Sequence, residues 1–231
     1  HRLFEGFISA SVQAIESRDP TTSGHSQRVA TLVCRLAEAV TQADSGLYAG
    51  VRFNPDQLKE LRYAAVLHDF GKVGVRERVL LKARKLYQPQ LELIKSRFDF
   101  IKRTLEVDTL RRKLEVHETK GGGKKQTLLT QLDRQLAQQM KEVDEMFSFI
   151  LKCNQPSPRS LAPFGKLKEI AHLEYHAYDG PRPFLTEEEV GALSVLQGTL
   201  TKSERKEIEQ HVNHTFEFLS KIPWTRSLKN V

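Results

Sequence analysis

The chain is predicted to be all-α, and three observations predict it. Apolar residues recur at spacings of three and four through most of its 231 residues. Nowhere do apolar and polar residues alternate for long enough to build a sheet. Helix start and stop signals fall between the periodic runs: Asp19-Pro20, Pro55-Asp56, Gly121-Gly122-Gly123, and two capping boxes opening at Thr186 and Thr201.

The elements follow in order. Leu3, Phe7, Ser11, Ala14 and Ile15 give one face of a first helix, which stops at Asp19-Pro20. Val29, Leu32, Val33, Leu36, Ala37 and Val40 give a second, with His25 in its first turn. A third opens at Pro55-Asp56, carries Leu58, Leu61, Ala64 and Ala65, and ends at His68-Asp69. Leu91, Ile94, Phe98, Ile101 and Leu105 form one long stripe; Leu128, Leu132, Leu136, Met140, Val143, Phe147 and Ile150 form another. Lys120-Gly121-Gly122-Gly123-Lys124 between them is a poor helix interior, so the two helices are expected to pack antiparallel as a hairpin. Pro156, Pro158, Pro163, Pro181 and Pro183 mark a connector with a short helix over 165–171. Tyr175 to Pro183 reads as an Asp-Gly turn within it. The helix opening at Thr201 carries Ile208, His211, Val212, Thr215, Phe216 and Leu219.

Bulk properties exclude several classes. At 39% hydrophobic and 28% charged, the chain can build one sizeable core or a core with an appendage. No apolar run approaches the roughly 20 residues of a membrane span. Cys34 and Cys153 make no disulfide framework and fit a reducing, cytoplasmic setting; Cys34 is expected to be a buried apolar residue. The net charge of +7 is spread through 76–84, 95–113 and 120–125, mixed with acids and without interleaved aromatics, which argues against DNA and suits an anionic nucleotide. The start on His1 rather than Met suggests an excised domain.

The chemistry concentrates in Leu67-His68-Asp69-Phe70-Gly71-Lys72. Adjacent His and Asp at a helix end can aim an imidazole nitrogen and a carboxylate oxygen at one cation such as iron, manganese or zinc. Gly71 is expected to permit a sharp turn, and Lys72 then brings a positive charge close by. A metal beside an ammonium is equipment for cleaving a phosphate ester.

This segment, with Asp19-Pro20-Thr21-Thr22-Ser23-Gly24-His25-Ser26-Gln27-Arg28-Val29 and Val79-Leu80-Leu81-Lys82, resembles the HD superfamily of metal-dependent phosphohydrolases. Within it the motifs resemble the HD-GYP branch, over 1–85 and about 185–231. The resemblance implies an HD-type helical bundle with the long hairpin inserted: core over 1–86 and 187–231, insertion over 87–153, Pro-rich connector over 154–186. It implies two divalent ions (Fe, Mn or Zn), one on His25, His68 and Asp69, the other on Asp69 and His211, with Asp69 bridging. His211 rather than His214 fits the family spacing to Leu219, and Thr21 stands where some members hold a third metal with Glu. Asp69 and Lys72 would be catalytic, and Lys72 and Arg28 would contact substrate. The implied activity is hydrolysis of cyclic di-GMP in bacterial signalling, behind a sensor or receiver domain, with room for a homodimer through the helices.

The branch's naming motif and a final metal-binding Asp do not occur in the chain; Tyr175 to Pro183, with His176 and Asp179, lacks the motif's paired His, its Glu and its Gly-Tyr-Pro. The expectation is a chain truncated before that motif, binding metal at low occupancy and inactive by itself. A degenerate HD-type signalling module and another HD-superfamily nucleotide phosphohydrolase are the alternatives.

Overall fold

The first of two units comprises residues 1–81 and 202–231. The computed structural model describes residues 2–18, 24–119, 123–156, 164–222 and 224. Asp19 to Ser23 of the first motif, and Lys120 to Gly122 of the glycine turn, lie outside the described residues.

Helix α1 spans Arg2–Glu16, α2 His25–Thr41 and α3 Pro55–Leu67. The stripe of α1 keeps the expected Ile15 but differs from the expected one towards the N-terminus: Phe7 is 55% exposed, whereas Ile8 is buried and packs with Val12 and Ile15 against Tyr63, Leu67 and Phe70. Both registers are periodic, and only the packed one meets the aromatic residues. Helix α2 packs on α3, and the residues it buries are small: Ser26, Ala30 and Ala37. Leu32 and Leu36, expected on the inner face, are exposed. Cys34 is half-buried rather than buried, its thiol 3.8 Å from the carbonyl of Leu58.

Helix α3 starts on a capping box in which Asn54 and Gln57 exchange hydrogen bonds, with Pro55 pre-set for the first turn. Its end feeds a 3₁₀ turn, Phe70–Gly74, then α4 (Glu77–Leu80). Helices α9 (Lys202–Glu209) and α10 (His211–Leu219) close the unit. Phe70 stacks on Phe218 of α10 at 4.1 Å between ring centroids. Arg76 makes a bidentate pair with Glu207 of α9, and the Arg18 guanidinium donates to the carbonyls of Val73 and Val75.

The second unit, residues 82–201, holds α5 (Gln88–Thr119) and α6 (Gly123–Cys153). Their antiparallel register is visible in the ion pairs Lys102–Asp144 and Lys113–Asp133, where an advance of eleven residues on α5 matches an equal retreat on α6. Ile94, Phe98, Ile101, Val143 and Ile150 fill the seam near its base. Towards the tip, Leu128, Leu132, Leu136 and Met140 are only half-buried.

The base does not stand alone. Helix α7 (Phe164–His172) adds Leu167 and Ile170, the following segment adds Phe184 and Leu185, and α8 (Glu187–Leu193) adds Ala192 and Leu193 to the same core. Residues read as a connector therefore carry core side chains. The stretch 187–201, expected with the first core, belongs here: Arg97 of α5 grips Glu189 with both guanidinium branches and donates to the carbonyl of Phe184. Residues 174–183 are a small antiparallel hairpin, β1 (Glu174–Ala177) and β2 (Gly180–Pro183), rather than a bare turn. A four-residue strand is too short to show alternation in sequence, and the all-α class stands.

Lys85 is 1% exposed and gives its ammonium to the carbonyl of Leu193, and burial pushes its pKa down. Ile150 is fully buried at the seam. Ile150→Ala is expected to destabilise this unit by about 2–5 kcal/mol, read by urea denaturation.

Candidate metal centre

The site is assembled from three helix ends in the first unit. His25 is the first residue of α2, entered through Gly24 in the left-handed region at φ 66°, which glycine adopts without strain. His68 caps the C-terminus of α3, and Asp69 follows it at φ −98°, ψ 7° as the chain turns into the 3₁₀ segment. His211 opens α10. His25, His68 and Asp69 each offer one donor atom within 4.8 Å of the others. The rings of His25 and His68 meet edge-on, centroids 5.6 Å apart.

Asp69 is the centre of the arrangement, with its two oxygens facing different neighbours. Oδ2 lies 3.4 Å from His68 Nε2 and 2.9 Å from Lys72 Nζ; Oδ1 lies 3.5 Å from His211 Nε2. The hydrogen bond with His68 and then the Lys72 ammonium hold the Asp69 carboxyl well below the usual carboxylate range, against the effect of burial. The bond to Asp69 also raises the His68 pKa, more than burial lowers it.

The backbone selects the tautomers. His68 Nδ1 is 2.7 Å from the carbonyl of Ala65, and His211 Nδ1 is 2.5 Å from the carbonyl of Ile208. A carbonyl can only accept, so Nδ1 carries a proton in both rings; Nε2, on the Asp69 side, donates to the carboxylate while it too is protonated and offers its lone pair to a cation once it is not. Two imidazoles so oriented, a third beside them and an ionised carboxylate form a donor set that could hold a divalent transition ion.

Gly71 and Thr215, which the sequence does not mark as a contact, bring α10 into place. A Cβ on Gly71 would lie 1.9 Å from the carbonyl oxygen of His211 and 2.5 Å from the amide nitrogen of Thr215. Gly71 has no positive φ, so its role is space for α10 and not the sharp turn expected. Thr215, 8% exposed, accepts from the Gly71 amide at 2.7 Å and donates to the carbonyl of His211 at 2.9 Å. Thr215 sits four residues after His211, a spacing that could have signalled it. His214 packs its ring against Gly74 and buries Nδ1 without a hydrogen-bond partner, while His211 faces Asp69. Arg28 is exposed one turn beyond His25. His176 and Asp179 lie on the β-hairpin of the second unit, where Asp179 pairs with Arg182.

The comparisons with known proteins bear on this geometry. The HD domain family model matches residues 22–145, more than half of the chain. The chain belongs to the HD domain family. It is 34% identical over 80 residues to a cyclic di-GMP phosphodiesterase of Thermotoga maritima, covering 35% of this chain and 19% of that protein. A probable cyclic di-GMP phosphodiesterase of Vibrio cholerae is 35% identical over 85 residues, 37% of this chain and 19% of the relative. A 3'3'-cGAMP-specific phosphodiesterase of the same organism is 30% identical over 92 residues, 40% of this chain and 18% of the relative. The chain spans about a fifth of the length of these curated relatives. No solved structure matches. No helix among the described residues is long and apolar enough to cross a membrane.

Proposed function

We propose that this HD domain serves hydrolysis of a phosphodiester in a cyclic dinucleotide, with cyclic di-GMP the first substrate to test. One observation carries the reading: His68 and His211, on different helices, face the two oxygens of one carboxylate. That arrangement supports Asp69 as a ligand that two ions would share. His25, His68 and Asp69 would hold one divalent ion (Fe, Mn or Zn), and Asp69 and His211 the other. When bound, the ions supply Lewis acidity toward a phosphoryl oxygen and a hydrolytic nucleophile at neutral pH.

The chain's own residues do the rest. Asp69 stays ionised, because the hydrogen bond with His68 and the Lys72 ammonium favour its charged form. Lys72, 15% exposed in its side chain, offers ammonium protons to a non-bridging phosphate oxygen from a fixed place beside the carboxylate. Arg28, exposed on the same side of α2 as His25 by its one-turn spacing, offers a second cation for phosphate. The likeness to phosphodiesterases of cyclic di-GMP and of 3'3'-cGAMP supports a cyclic dinucleotide as the class. The bacterial cytoplasm, and a sensor or receiver domain acting on this one, go with that reading.

The described residues would provide three donors for one ion and two for the other, with Asp69 shared. We expect weak, sub-stoichiometric metal binding and negligible turnover of cyclic di-GMP by these residues alone, measured by nucleotide chromatography with iron or manganese present. Metal-dependent binding of cyclic di-GMP is expected nonetheless; metal binding with no affinity for any cyclic dinucleotide would favour the degenerate signalling module. A homodimer through the helices is supported by Leu93, Phe100, Val107 and Leu114 of α5, exposed at a seven-residue repeat; sedimentation velocity would test it.

A further inference from the structure

We propose that Glu16 is a positioning residue for metal capture, acting through His25, an inference that rests on the metal-site reading above. Glu16 is the last residue of α1. Its Oε2 accepts from the amide of Gly24 at 2.8 Å, and its Oε1 accepts from the amide of Ser26 at 3.0 Å. Those two amides flank His25 in sequence. The ligand histidine is therefore held from both sides by one carboxylate reaching across from another helix.

The need for such a grip follows from the sequence. The first amides of a helix have no partner within it and are usually met by a Ser, Thr, Asp or Asn at the cap. Here the cap position is Gly24, which has no side chain and makes no side-chain bond. Glu16 supplies the missing acceptor, and its negative charge sits at the positive end of the α2 dipole. A local cap would fix only the helix end. A carboxylate anchored on α1 also fixes where that end lies relative to the floor of the site. Glu16 and Ser26 line one small cavity together with Asp69 and Lys72. Ser26 is 4% exposed and Glu16 and Gly24 are half-buried, so the clamp is partly shielded from competing water.

Glu16 is not read as a ligand. Both of its oxygens already accept from backbone amides, and it is outside the group whose donor atoms converge. Its effect is to keep the His25 backbone from swinging, so that the ion meets three donors already in place. Partners of this kind, one step behind a metal ligand, typically carry about 10–100-fold in metal affinity.

The test is a cobalt titration of the full 231-residue chain, followed by visible absorption, with thermal unfolding of each metal-free variant as a control. Glu16→Ala should weaken cobalt binding by about 10–100-fold. Glu16→Gln keeps the reach and one carbonyl acceptor, and should lose less. The decisive arm is a double-variant cycle. In a His25→Ala background, Glu16→Ala should cause no further loss, because its route to the ion is already gone. Equal affinity of Glu16→Ala and the unaltered chain would overturn the proposal while leaving the metal site intact. A full additional loss in the His25→Ala background would overturn it too, since Glu16 would then act directly or through the general fold. Absence of any cobalt binding by the unaltered chain would remove the site reading itself, and this proposal with it.

Discussion

Gly71→Ala is expected to be among the most damaging single-methyl changes in the first unit. The added carbon would sit 1.9 Å from the His211 carbonyl oxygen and 2.7 Å from the Thr215 hydroxyl. Two of the three nearest atoms belong to the backbone of α10, so no side-chain rotation relieves the clash. The helix must move outward, and the Gly71–Thr215–His211 hydrogen-bond chain stretches with it. Overpacking of this kind costs about 1–3 kcal/mol, and the loss of a buried hydrogen bond adds to it. The displacement also draws His211 away from Asp69. The expected result is a lower urea midpoint together with loss of the more weakly held ion, while His25, His68 and Asp69 keep theirs. Wild-type stability and metal content in Gly71→Ala would show that α10 does not depend on this close approach.

Asp69→Ala is expected to abolish metal binding while leaving the fold in place. Asp69 contributes to both proposed ions, so its removal leaves two imidazoles for one and a single imidazole for the other. Affinity should fall by more than the roughly 100-fold typical of groups behind the ligands. The fold should persist, because Lys72 retains 15% exposure and can turn its ammonium to water once its partner is gone. Isothermal titration with zinc or manganese on the unaltered and Asp69→Ala chains, with far-ultraviolet circular dichroism of both, measures the two effects separately. Equal binding by both would place the metal elsewhere.

Much of this was legible in the sequence, for physical reasons that differ by element. The His68-Asp69 pair was visible because both donors are neighbours in the chain at a helix end, where the turn out of α3 brings them together. The long hairpin was visible because two stripes of similar length and period can cover each other. The register of α1 and the inner face of α2 were not: small residues such as Ala30 and Ala37 pack closely without standing out from the larger Leu32 and Leu36. Gly71 was noticed for the wrong property. Its lack of a side chain matters because a helix more than a hundred residues later lies on it, a fact no local pattern carries. Glu16 was overlooked for a similar reason, since a carboxylate capping a different helix leaves no spacing signature. The β-hairpin and the core residues Leu167, Ile170, Phe184 and Leu185 fall in the stretch 154–186 that its prolines mark as connector, and these side chains are too sparse in sequence to form a stripe and join only in the folded unit.

Whether His25, His68, Asp69 and His211 form one metal centre is decided by anomalous diffraction from crystals of this chain grown with zinc. A peak is expected at about 2.0–2.2 Å from donor atoms of His25, His68 and Asp69, with a weaker second peak between Asp69 and His211. Zinc located only at other residues, such as His176 and Asp179 of the β-hairpin, would rule that centre out.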